Sequence, residues 1–169
     1  MGFSLQVEGL QDFAEQLKAA TGAGLKKDIA EFLNAAGVEF LRIVQSELKS
    51  SHTVVTGNLI GSFGMGGSGN IWEIGDGGFS LTVGSNVEYA SYVNDGHFTT
   101  PAGVERRFVP GYKKGRRFVY DPSAKGGITL VRKWISGKHY WEAAIRHSEP
   151  ILQKEAEIAI DKWVAKYFG

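Results

Sequence analysis

Apolar residues recur along this chain with different periods, and each period predicts an element. Phe3, Leu5 and Val7 alternate with polar neighbours until Gly9, the spacing of a half-buried strand. Leu10, Phe13 and Leu17 then follow at helical steps as far as Thr21-Gly22-Ala23-Gly24, where the glycines interrupt. The i, i+3, i+4, i+7 rhythm resumes through Ile29, Phe32, Leu33, Ala36, Phe40, Leu41, Val44 and Leu48, which predicts a helix of about five turns. Leu59 with Phe63, then Ile71-Trp72-Glu73-Ile74, then Phe79, Leu81 and Val83 read as three short strands. The last two are joined as a hairpin through Gly75-Asp76-Gly77-Gly78. Val87, Ala90 and Val93 predict one or two helical turns before Asn94-Asp95-Gly96. Trp141, Ala144, Ile145, Ser148, Leu152, Ala156, Ala159 and Trp163 lie at three- and four-residue steps, predicting a terminal helix bent or restarted at Pro150. The fold class these elements imply is α+β, with a small antiparallel β-sheet packed against two N-terminal helices and a long C-terminal helix.

Between the predicted short helix and the terminal one, the apolar rhythm lapses. Residues 97–138 hold Pro101, Pro110 and Pro122 among many glycines, and ten Lys and Arg stand there against Glu105 and Asp121, a net charge of +8. The remaining residues carry nine basic against sixteen acidic groups, a net of −7, although the whole chain is only +1. We therefore expect a single domain over 1–169, with 97–138 as a basic, Gly/Pro-rich extension inserted before the C-terminal helix. Within it, Arg107-Phe108-Val109 and Arg117-Phe118-Val119-Tyr120 flank Pro110-Gly111-Tyr112-Lys113-Lys114-Gly115, which suits a hairpin spanning 106–120 with a basic tip. A partly disordered, solvated loop is the alternative reading of the same composition, and under either reading residues 98–137 are expected to be mobile in the free protein and ordered once assembled. Arg106, Arg107, Lys113, Lys114, Arg116 and Arg117, interleaved with Phe108, Tyr112 and Phe118, are the candidate contact residues. They suit an acidic neighbouring subunit first, then DNA phosphates beside stacked bases.

Composition narrows the chemistry. The length of 169 residues suits one domain. The start, Met1-Gly2-Phe3-Ser4, lacks the pattern of a secretion signal, and no run approaches the ~20 apolar residues that cross a bilayer, so an intracellular chain without membrane contact is expected. Zero cysteines exclude disulfides and thiolate zinc sites. Gly64-Met65-Gly66-Gly67-Ser68-Gly69 spells G-x-G-x-x-G, but a strand rather than a helix is predicted after it, so the amide dipoles that hold phosphate are missing. His139 and His147 lie eight residues apart, about two helical turns, too far to share one ion unaided. Asp28, Glu31, Glu39 and Glu47 fall on the polar face of the long helix, as solvated charges do. No catalytic constellation, metal site or cofactor is expected.

Two segments carry a resemblance. Thr53-Val54-Val55-Thr56-Gly57-Asn58-Leu59-Ile60-Gly61-Ser62 resembles a T-G-x-L-x-x-S motif, and Thr82-Val83-Gly84-Ser85 through Tyr89-Ala90-Ser91-Tyr92-Val93-Asn94-Asp95-Gly96 resembles V-G-S-x-x-x-Y-A-x-Y-V-E-x-G. Their order and spacing are similar to those of the tailed-phage neck proteins grouped as the HK97 gp10-like, or tail-component, family. Two departures stand out: Asn94 replaces the usual acidic residue, and the segment after His97 is longer than in compact members. The resemblance implies a non-enzymatic virion protein of the neck or tail, assembled in the host cytoplasm. It would form part of a homo-oligomeric ring, a hexamer first, at the head-tail junction. It would meet head-connector and tail proteins, with genome DNA passing through the channel. The alternative function is a small DNA-binding module using the basic hairpin 106–120.

Overall fold

A computed structural model describes residues 23–51 and 57–168. The predicted N-terminal strand and first helix lie outside the described residues. The fold is α+β. The first of two compact units comprises residues 1–94 and 139–169, the second residues 95–138.

In the first unit, α1 (Ala23–Ser50) and α4 (Tyr140–Phe168) are the long helices. Helix α1 begins at Ala23, more than a turn before the apolar rhythm resumes, so Gly24 is taken into the helix instead of ending it. Leu25, Ile29, Leu33, Ala36, Phe40, Leu41, Val44 and Leu48 are buried, one stripe along the whole helix. Helix α4 contributes Tyr140, Trp141, Ala144, Leu152 and Trp163, and the Trp141 ring meets Phe40 edge-on, their centroids 5.0 Å apart. Two side-chain contacts set the register: Lys166 Nζ lies 2.8 Å from Asp28, and His147 Nδ1 lies 2.8 Å from Glu47. As numbers rise along α1 they fall along α4, so the helices are antiparallel. The same nineteen-residue interval separates the clamps on both helices, roughly 28 Å of matched length. Helix α4 runs on through Pro150 without restarting. The carbonyl of Arg146 loses its amide partner there, since proline has no N–H.

Between the long helices in sequence lie α2 (Gly57–Ser62), the antiparallel hairpin of β1 (Asn70–Gly75) and β2 (Ser80–Ser85), and α3 (Ala90–Asp95). The hairpin is the predicted one, turning through Asp76-Gly77-Gly78-Phe79 with positive φ at the first three positions. The strand predicted around Leu59 and Phe63 is a correction: Gly57–Ser62 is helical, with Leu59 and Ser62 buried. A four-residue step from Leu59 to Phe63 suits either period, and the helix won because it turns both residues into the core beside Val44 and Tyr140. Gly37 lets the hairpin close on α1. A Cβ there would lie 2.5 Å from Leu81 Cδ2 and 2.8 Å from Trp72 Cη2.

The second unit is all strand: β3 (Gly96–Phe98), β4 (Arg106–Lys114), β5 (Arg117–Tyr120), β6 (Gly127–Val131) and β7 (Trp134–Ser136). This corrects the disordered-loop reading. It also corrects the hairpin register: Arg107-Phe108-Val109 pair with β6, and only Gly111–Lys114 pair with β5, so the tip is two residues, Gly115-Arg116. Gly115 has φ 63°, the positive value that the first position of a type II′ turn requires. Strand β4 changes partner at Pro110-Gly111. A Cβ on Gly111 would lie 2.2 Å from the Val119 carbonyl, which restricts this crossing to glycine. Asp121 closes the unit's next turn by accepting from Ser123 N–H at 2.9 Å and Ser123 Oγ at 2.6 Å, and these bonds hold its carboxyl below the usual range.

Candidate functional site

The two motif segments meet in the core of the first unit. Ser62, last residue of α2, and Ser85, last residue of β2, are both fully buried with their hydroxyl oxygens 2.7 Å apart. Ser62 Oγ donates to the Leu59 carbonyl at 2.8 Å, which uses its single proton. The Ser85 hydroxyl therefore donates to Ser62, and Ser85 in turn accepts the Val87 N–H at 3.1 Å. The result is a directed chain from Val87 through both serines to Leu59. Asn70 Nδ2 adds a bond to the Ser62 carbonyl at 3.1 Å, tying the start of β1 to the same corner. These residues position chain segments and present no reactive atom.

Asn94 performs a second joining task. It is fully buried at the end of α3, and its Oδ1 accepts the Trp141 N–H at 3.0 Å in the first turn of α4. Its Nδ2 donates to both carboxylate oxygens of Glu142, at 3.0 and 3.1 Å. His139, which stands just before the helix with φ 50°, gives its N–H to the Asn94 carbonyl at 3.0 Å. An aspartate could accept from Trp141 but could not donate to Glu142. The departure from the acidic residue of the motif is thus explained by its neighbour: two carboxylates would face each other here.

All six candidate contact residues are exposed in the second unit, but they do not form one cluster. Arg106 and Arg107 open β4 opposite Val131 and Leu130, whereas Lys113, Lys114, Arg116 and Arg117 surround the β4–β5 tip. At most roughly 23 Å of strand separates the two groups. Lys114 is paired directly across from Arg117, a like-charge pair that strands normally avoid. None of the six forms an ion pair with another described residue. Cross-strand register places Arg106, Phe108, Tyr112, Lys114, Arg117 and Val131 on one face, and Phe108, Tyr112 and Val131 are all more than half exposed. The opposite face carries Val109, Phe118, Ile128 and Leu130, all half-buried. Phe98 and Trp134 pair edge-on at 5.0 Å on β3 and β7, with the Arg132 guanidinium 3.9 Å from the Phe98 ring centre.

The remaining motif residues take structural places. Gly64–Gly69 forms successive turns between α2 and β1, so a strand and not a helix follows the glycines. His147 is occupied by Glu47, and Asp28 by Lys166, so two carboxylates expected to be merely solvated hold the long helices together. Sequence reasoning missed these clamps, although the equal spacing of the two pairs was available in the numbering. Among the described residues no group of three His, Cys, Asp or Glu side chains could hold a metal ion. No described helix is long and apolar enough to cross a membrane.

The described residues thus combine an α+β scaffold, motif residues that join its chain segments, and an exposed basic and aromatic sheet face. Residues 11–96 match the family described as "Bacteriophage HK97-gp10, putative tail-component", a span that includes both motif segments and ends where the basic unit begins. The chain belongs to this HK97 gp10-like family of phage tail components. It is 41% identical to the phage-like element PBSX protein XkdI of Bacillus subtilis (strain 168) over 96% of this chain and 99% of that one. It is 38% identical to the protein YqbI of the same organism over 97% of this chain and all of that one. Both matches extend beyond residues 11–96 over nearly the whole chain. No solved structure matches the chain.

Proposed function

We propose that this protein is a non-enzymatic virion component that occupies a ring at the head-tail junction, completing the tail or joining it to the filled head. Family membership supports the virion role, with host cytoplasm as the place of assembly. The observation that carries the ring is charge segregation. Residues 95–138 hold ten basic groups against Asp95, Glu105 and Asp121, a net of +7, and the rest of the chain is −6. Two complementary surfaces on one chain suit a head-to-tail contact, and such contacts build a ring when the rotation between copies closes. Eight large apolar side chains stand exposed within those residues 95–138, Phe108, Tyr112, Tyr120 and Trp134 among them, apolar surface that a subunit contact would cover. Six copies is the ring size we favour, with connector and tail proteins on its two faces.

Contact between the basic face and genome DNA is the second reading, favoured by rings and cations sharing one sheet face. Titration with short duplex DNA separates the two. If the face binds a neighbouring subunit, duplex binding stays weak and its salt dependence shallow. If it binds DNA, log affinity falls with log salt at a slope of several units, and replacing the six basic residues by Gln abolishes it.

A further inference from the structure

The second compact unit has a cationic tip without a counter-charge, and the first has a groove rimmed by carboxylates. Helices α1 and α4 enclose about 540 Å³ above Phe32, Ile158 and Trp163, with four carboxylates and two lysines around it. Asp28 and Glu39 are engaged by Lys166 and Arg42, each at 2.8 Å. Glu31 faces only an exposed Lys27 at 3.9 Å, and Glu155 forms no ion pair or hydrogen bond with a described residue. Apolar floor and acidic rim together suit a ligand with an apolar stem and a cationic end, which is what an arginine is. The β4–β5 tip offers Arg116 and Arg117 on a two-residue turn, next to Lys113 and Lys114. Their mutual repulsion, concentrated by the Lys114–Arg117 pairing, is relieved by docking against carboxylates.

We infer that the β4–β5 tip of one copy seats in the α1–α4 groove of the next. The Arg116 and Arg117 guanidinium groups then meet Glu31 and Glu155, and their methylene stems cover Ile158 and Trp163. This inference rests on the ring reading and names its contact. Because the chain has no cysteine, a single chain carrying Arg116→Cys and Glu155→Cys tests it directly in assembled particles, with a short bis-maleimide joining the two thiols, since residues whose long side chains meet only at their ends stand too far apart for a disulfide. Cross-linking is expected to produce a ladder of covalent oligomers ending at the full ring, and either substitution alone is expected to produce no such ladder. A cross-link closing within one chain would overturn the inference, because the groove would then receive its own tip. Absence of cross-links in particles whose reconstruction shows adjacent copies would overturn the groove contact and leave the ring standing. Isolated copies in the reconstruction would remove the ring reading itself. As a second readout, Glu31→Arg with Glu155→Arg is expected to lower particle yield on the order of tenfold or more. Adding Arg116→Glu and Arg117→Glu to that chain is expected to restore it, and failure of the restoration with both variants folded would count against the pairing.

Discussion

At the scale of single residues, the motifs are explained by hydrogen bonds inside the first unit. Ser62→Ala leaves the Ser85 hydroxyl buried without its acceptor, so it is expected to cost about 1 to 3 kcal/mol, read as a fall in the denaturation midpoint. Replacing both serines by Ala is expected to cost less than the sum of the single changes, because the two lie in one chain of bonds. An additive result would show that the hydroxyls do not communicate. Asn94→Asp tests the other junction. It sets a second carboxylate against Glu142, and a destabilisation of roughly 1 to 3 kcal/mol is expected, largely reversed by adding Glu142→Gln. If Glu142→Gln brings no recovery, the amide is not there to separate two negative charges. The Asn94 substitution is visible in the sequence, but its reason is not, because Glu142 lies forty-eight residues away.

At the scale of elements, legibility followed the number of buried faces. Helix α1 was readable because one stripe of it is buried and its polar face is consistently charged, which imposes a single period. Helix α2 was not, since Gly57 and Gly61 lower helix propensity and its only buried residues are Leu59 and Ser62. Strand β6 escaped detection, and β4 was read with the wrong register, for a different reason: Phe108, Tyr112 and Val131 leave one sheet face apolar and exposed, so no alternation marks a core side. Two substitutions probe the elements. Gly37→Ala improves helix propensity yet drives a methyl group into Leu81 and Trp72, and the clash is expected to win by about 1 to 3 kcal/mol. A gain in stability would mean that the hairpin does not close on α1 as described. Pro150→Ala supplies the amide that the Arg146 carbonyl lacks at an exposed position of α4, and a raised melting temperature is expected. An unchanged or lowered value would show that the long helix needs its proline.

At the scale of the whole molecule, the candidate surface was legible as composition and illegible as geometry. Ten basic residues in one segment raised the expectation of an anionic partner, but only the strand register showed that the six candidates among them split between the start of β4 and its tip. The resemblance located the family through residues that lie before the basic unit, such as the buried Ser62, Ser85 and Asn94, which is why it could not say what that unit touches. Converting Arg106, Arg107, Lys113, Lys114, Arg116 and Arg117 to Gln is expected to leave the fold intact, since exposed charges contribute little to stability, each exposed pair being worth about 0 to 1 kcal/mol. Circular dichroism checks that expectation, and joining of heads to tails is what should fail. The central claim is that copies of this chain associate head to tail in a ring at the neck. Cryo-electron microscopy of the assembled particle measures this most directly: the account predicts a closed ring in which each copy contacts two identical neighbours through its basic unit, and isolated copies, or a ring whose basic units touch no neighbour, would contradict it.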